Sequence, residues 1–197
     1  MKASLRILGK FGLGLAVLLA LGILFVYSGI YNVAATKGHA RPLEQVLRLT
    51  MMRSVVAHAR EIHPPATFDP LDHALMETGA GHYEAMCRTC HGAPGRKPGP
   101  WQLYPPAPDL ADALRVTRWS DAEVFWIIKN GIKDTGMSAF GSSADDDELW
   151  ALTAFVRQLK TITPEQYFTM TKRAPMKEGS GQKELTDTTK PAQPHQH

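Results

Sequence analysis

Residues 86–92 read MCRTCHG; they hold both cysteines of the chain, Cys87 and Cys90, with His91 directly behind the second. That spacing admits three chemistries. A structural zinc site takes four ligands, and no second Cys or His pair at regular spacing accompanies this one. A thiol–disulfide centre belongs at the start of a helix that follows a strand, where the helix dipole lowers a thiol pKa. Here the motif closes a predicted helix, and no βαβ pattern surrounds it. Covalent haem attachment fits best: the two thiols add to the two porphyrin vinyl groups, and the adjacent imidazole lies under the iron. Two cysteines allow one disulfide at most, so the chain is not a disulfide scaffold.

The chain begins with a second strong constraint. Residues 11–31, FGLGLAVLLALGILFVYSGIY, carry no charge. As a helix they would extend about 30 Å, the thickness of a hydrocarbon core. Lys2, Arg6 and Lys10 precede them, and Tyr27 and Tyr31 sit at the far end, where interfacial aromatics belong. This pattern predicts a transmembrane anchor with its basic leader in the cytoplasm and the rest of the chain outside. A cleaved signal peptide is the competing reading, with Val33-Ala34-Ala35 as its cleavage site. Its apolar region usually runs only about 7–15 residues. Either reading exports the motif, to the side of the membrane where haem attachment of this kind takes place.

Four segments follow: a leader and anchor over 1–32, a helical connecting segment over 33–70, a haem domain over 71–164, and a polar tail over 165–197. Within the connector, residues 43–62 show i, i+3, i+4 apolar spacing, and Pro64-Pro65 ends them. This helix either packs on the haem domain, lies near the membrane surface, or docks a partner. A second helix is expected from about 71 to 89, ending at the motif. The stretch 92–110, rich in Pro and Gly, is a long loop. Ser120 with Glu123 forms a capping box for the next helix, which Gly131 closes. The acidic run Asp145–Glu148 opens an apolar helix and suits its positive end better than it suits a cation. Beyond about 171 the composition is too polar to fold alone, and it predicts disorder. No strand-period alternation of useful length occurs, so the exported part is all-α.

One motif means one haem, and a six-coordinate iron needs a second axial ligand. Met137 lies in GIKDTGMSAFG, between Gly136 and Gly141, which let backbone approach a macrocycle closely. A thioether is a soft ligand, and His/Met ligation raises a reduction potential. Among the rivals, Met76 and Met86 precede the motif on its own helix, Met51 and Met52 sit mid-helix, and Met170 and Met176 lie past the last helix.

With these residues in place, positions 71–162 resemble the class I c-type cytochromes, in the monohaem, membrane-anchored form of bacterial respiratory chains. Gly79 and Tyr83 stand eight and four residues before the first cysteine, as in that family, where they let the first helix cross the last. Phe155 or Trp150 would meet them there. Pro108-Asp109-Leu110 matches the family's Pro-x-Leu loop, whose proline carbonyl accepts a hydrogen bond from the ligating histidine. The family's ligand loop commonly reads Gly-Met-Pro-x-Phe, whereas this chain has Ser138 in place of proline.

The resemblance implies a small cytochrome c fold around one covalent haem c. Its cofactor-binding residues would be Cys87, Cys90, His91, Met137, Pro108 and Leu110, with His91 and Met137 on the iron. It further implies one-electron transfer rather than catalysis. Partners would be membrane lipid through the N-terminal helix, and a redox protein such as a dehydrogenase, a quinol-oxidising complex or a terminal oxidase. The haem domain would face the periplasm from a bacterial inner membrane. The rivals are a haem peroxidase or small-ligand sensor with an open axial site, a disulfide reductase, and an accessory subunit with a structural haem. A formal net charge of +3 is too small to argue for nucleic acid. The haem segment 71–164 is itself slightly acidic. Leu110, Val124, Ile127, Ile128, Phe140, Leu152 and Phe155 are the expected core. Arg96, Lys97, Lys129 and Lys133 flank the two haem-bearing loops, and Trp101, Tyr104 and Trp126 are candidates near the propionates.

Overall fold

The structure, a computed structural model, describes residues 2–34, 36–100, 103–111 and 118–174. The chain divides into two compact units, Met1–Gly38 and His39–His197.

The first unit is a single helix, α1 (Lys2–Tyr27), whose stretch Ile7–Tyr27 is long and apolar enough to cross a membrane. From Ile7 to Tyr27 its apolar side chains are exposed. It stops four residues short of the expected end at Tyr31. Ser28 Oγ donates to the Phe25 carbonyl at 2.7 Å, and Gly29 turns the chain away at φ +65°.

The second unit is helical, with one isolated bridge between Ala93 and Arg96 and no strand among the described residues. Its elements are α2 (Arg41–His58), α3 (His73–Met86), the single turn α4 (Arg88–His91), α5 (Asp121–Asn130), α6 (Asp146–Gln158) with a 3₁₀ turn over Leu159–Thr161, and α7 (Pro164–Arg173). Local chemistry sets each start. Asp72 caps α3 by accepting from Leu75 N at 2.7 Å. Ser120 and Glu123 form a reciprocal capping box at α5, and Asp145 and Glu148 form another at α6. The acidic run is therefore a helix start, as its position suggested.

The core forms where α3 crosses α6. A Cβ on Gly79 would collide with the Ala151 carbonyl and lie 2.7 Å from Phe155 Cβ, so only glycine lets the helices come this close. Tyr83 and Phe155, both fully buried, meet one turn on with ring centroids 5.4 Å apart. Trp150 instead stacks on Phe125 of α5 at 4.2 Å and meets Phe68 at 5.0 Å. Val124, Ile128, Leu152 and Phe155 are core as expected, while Leu110 and Phe140 are half-buried against it and Ile127 is also only partly covered.

One segment reading needs correction. The tail over 165–197 does not begin at 165, because α7 occupies Pro164–Arg173 and buries Tyr167 against α3 and Phe155. Pro164 is the first residue of this helix, a position that suits a proline because its missing N–H would be unpaired there in any case. Thr163 and Gln166 form its capping box. The rest of the expected disordered tail, 175–197, lies outside the described residues. The helix of the connecting segment packs on the haem-motif domain, the first of the alternatives its spacing allowed. Val55 and Ala59 are buried, Ile62 and Phe68 pack on the core, and His58 lies 5.7 Å from the Trp126 ring of α5.

Candidate functional site

Cys87 ends α3, and α4 carries Cys90 and His91 through one further helical turn. Cys90 N and His91 N both donate to the Cys87 carbonyl, at 3.1 and 2.9 Å. This turn gathers two free thiols and one imidazole. Gly92 then reverses the chain at φ +70°, and the buried Tyr83 hydroxyl donates to its carbonyl at 2.8 Å. Gly99 N donates to the Thr89 carbonyl at 2.8 Å, so the loop folds back on the motif.

The Pro108–Leu110 segment is fastened to His91 at two points. His91 Nδ1 lies 2.8 Å from the Pro108 carbonyl oxygen, a geometry in which Nδ1–H donates. Leu110 N donates to the His91 carbonyl at 3.2 Å. The first bond fixes the tautomer and the ring plane and leaves Nε2 as the nitrogen with a free lone pair. Burial lowers the His91 pKa, with the Pro108 hydrogen bond and Asp109 acting the other way. The net shift favours the neutral ring, the form a metal requires.

Burial, aided by Cys90, pushes the Cys87 thiol up to about 12. Disulfide exchange needs the opposite, a thiol with its pKa lowered. The donor set of two thiols and one oriented imidazole in a single turn suits a covalent haem, and Cys87 is not the low-pKa thiol a reductase would use.

Met137 lies in the loop between α5 and α6 and is half-buried. Its carbonyl accepts from Ile132 N at 3.1 Å, and its N donates to Thr135 Oγ1 at 3.0 Å. Gly131, at φ +67°, lets that loop fold against the end of α5: a Cβ there would sit 2.6 Å from the Met137 carbonyl oxygen. Leu103 packs on Gly136, its side chain 2.9 Å from where a Cβ would stand, so the loop after the motif meets the loop of Met137.

The remaining sequence candidates separate. Tyr104 donates to Glu44 of α2 at 3.2 Å, and Trp126 faces His58. Trp101 lies outside the described residues. Arg96 pairs with Glu84 at 3.2 Å and Lys129 with Asp146 at 2.6 Å, whereas Lys97 and Lys133 are exposed.

Glu84 was not singled out by sequence. Besides Arg96 it meets Arg88, inside the motif, at 3.0 Å, and it accepts from Tyr167 Oη at 2.6 Å. The Arg88 Nε–H is close enough to pair but is not aimed at the oxygen, so that nitrogen lacks a true hydrogen bond. Glu84 and Arg88 at i, i+4 were the one readable signal.

Residues 74–156 match the family described as cytochrome C oxidase, cbb3-type, subunit III. No curated relative and no solved structure matches the chain.

Proposed function

We propose, from the premise that residues 74–156 are a cytochrome c domain of the cbb3-oxidase subunit III type, that this chain is a monohaem electron carrier held to the membrane by α1. Cys87 and Cys90 would hold a haem by adding their S–H bonds across its two vinyl groups, an addition that needs no oxidant. His91 would hold the iron through Nε2 and Met137 through its sulfur, the loop of Met137 meeting the loop after the motif where Leu103 packs on Gly136. The bound haem supplies a one-electron iron couple.

The chain's own residues do the rest. The Pro108 carbonyl holds the imidazole plane and raises its basicity. The buried α3–α6 crossing excludes water from the motif side, and Gly131 and Gly136 let the Met137 loop close in. His91 and Met137, each fastened to its own loop by backbone hydrogen bonds, would hold the group with little movement of the chain. Redox partners of the respiratory kind follow from the family, with the haem domain on the periplasmic side.

The observation that carries this reading is the 2.8 Å contact of His91 Nδ1 with the Pro108 carbonyl, in the same turn as two free thiols. Intact-mass measurement of the mature chain tests it. A mass increased by one haem is expected, together with the weak long-wavelength band of an oxidised iron–thioether bond. A mass equal to the polypeptide alone overturns it. Carbon monoxide binding by the reduced protein at neutral pH would instead identify an open axial position.

A further inference from the structure

Helix α2 turns one face to the haem domain and a different one to solvent. The buried side carries Val55 and Ala59. Away from it, Val46, Leu49, Arg53, Val56 and Arg60 recur at i, i+3, i+7, i+10 and i+14, one continuous helical stripe that ends just past the last turn. Val46 and Leu49 are 60% and 58% exposed, and Val56 is 40% exposed. Arg53 and Arg60 are exposed and form no ion pair among the described residues. The one carboxylate of α2, Glu44, lies off the stripe and accepts from Tyr104. The stripe is therefore apolar, cationic and without a covering element among the described residues of its own unit.

Chain continuity identifies what covers it. Residues 28–40 join the apolar helix to α2, and even fully extended at roughly 3.5 Å per residue they span only about 45 Å. A domain tethered so closely meets the bilayer surface constantly. Branched apolar side chains flanked by arginines, whose stems lie along apolar surface while their heads reach phosphate, suit an anionic headgroup layer.

We infer that the Val46–Arg60 stripe of α2 rests on the anionic lipid surface of the membrane that α1 spans, and so fixes which side of the haem domain faces away from the bilayer. This rests on the anchor reading above.

The test uses the full haem-loaded chain with a protease site placed in residues 34–38, reconstituted in vesicles of phosphatidylcholine with or without phosphatidylglycerol. Before cleavage the chain should sediment with both. After cleavage the released haem domain should stay on phosphatidylglycerol vesicles at low salt and leave pure phosphatidylcholine. A V46S/L49S/R53E variant should lower the retained fraction at least about fivefold, since it removes two apolar contacts and reverses one charge. A cleaved domain that leaves the anionic vesicles overturns the lipid contact while the anchor stands. If that domain stays only on native membranes, its partner is a protein, and the lipid assignment falls equally. An uncleaved chain that does not sediment overturns the anchor, and this inference with it.

Discussion

Tyr167 Oη donates to Glu84 Oε2 at 2.6 Å across 83 residues of chain, tying α7 to α3 one turn before the first cysteine. The same carboxylate meets Arg88 and Arg96, so one side chain joins the motif turn, the loop behind it and the last helix. Tyr167→Phe removes the hydroxyl and keeps the ring packing. Glu84 is about one-third exposed, so the charge-assisted bond is partly screened, and the expected loss is about 1 kcal/mol in a denaturant titration.

The same substitution should change how stability depends on alkaline pH. Burial, and then the Glu84 hydrogen bond and charge, push the Tyr167 hydroxyl above its ordinary value, against the pull of Arg88 and Arg96. Tyr83 is raised as well, chiefly by burial. Below about pH 10 both the folded and unfolded chains keep these protons, and the contribution is complete. Above it the unfolded chain ionises first, binds fewer protons, and gains on the folded one. Stability should therefore fall as pH rises past about 10, less steeply in Tyr167→Phe than in the parent. Denaturation midpoints at neutral and alkaline pH measure the difference; parallel curves for the two proteins would refute it.

Gly79→Ala pits two effects against each other. Alanine gains about 1 kcal/mol of helix propensity over glycine. Its Cβ would enter the Ala151 carbonyl, which is backbone and cannot swing aside. Overpacking of this kind costs about 1–3 kcal/mol, and a clash with backbone belongs at the upper end. The collision wins, so thermal unfolding should shift downward, whereas the same change at Gly12 in α1, which nothing approaches within 4 Å, should not destabilise that helix.

Thr163→Ala should loosen α7. It removes the side-chain oxygen that accepts from Gln166 N at 3.2 Å, a capping loss of about 1 kcal/mol. Faster amide exchange confined to 164–173 is the expected signature. Exchange that stays at the parental rate there would mean that Tyr167 packing alone holds the helix.

What was readable in the sequence follows range. Ser120 with Glu123, Asp145 with Glu148, and Gly131 after Asn130 announce helix ends because each bond is made within a few residues. Gly79 and Tyr83 were readable only through resemblance, since their partners Ala151 and Phe155 lie some seventy residues on. The α7 helix escaped because Pro164 has two meanings, stop and first residue, and Thr163-x-x-Gln166 was the cue that separates them. The Glu84 cluster escaped for a different reason. Its partners at 96 and 167 are brought together by the fold, and no local pattern encodes them.

Gly131→Ala bears most directly on the proposed iron site. Gly131 caps α5 at φ +67° and ψ −171°, a region essentially reserved for glycine, where an L side chain costs on the order of 1–3 kcal/mol. The added Cβ would also lie 2.6 Å from the Met137 carbonyl oxygen and 2.8 Å from Ala139 N, both backbone atoms of the Met137 loop. The loop has to retreat, and the Ile132 N–Met137 O bond at 3.1 Å goes with it. Met137→Ala deletes the sulfur and leaves this loop geometry intact. On the proposed reading both variants should weaken the long-wavelength band of the oxidised protein, lower the reduction potential and admit carbon monoxide when reduced. Gly131→Ala should do so without any change to the sulfur itself. A Gly131→Ala protein with parental spectrum and potential would mean that the end of α5 does not govern where the thioether lies.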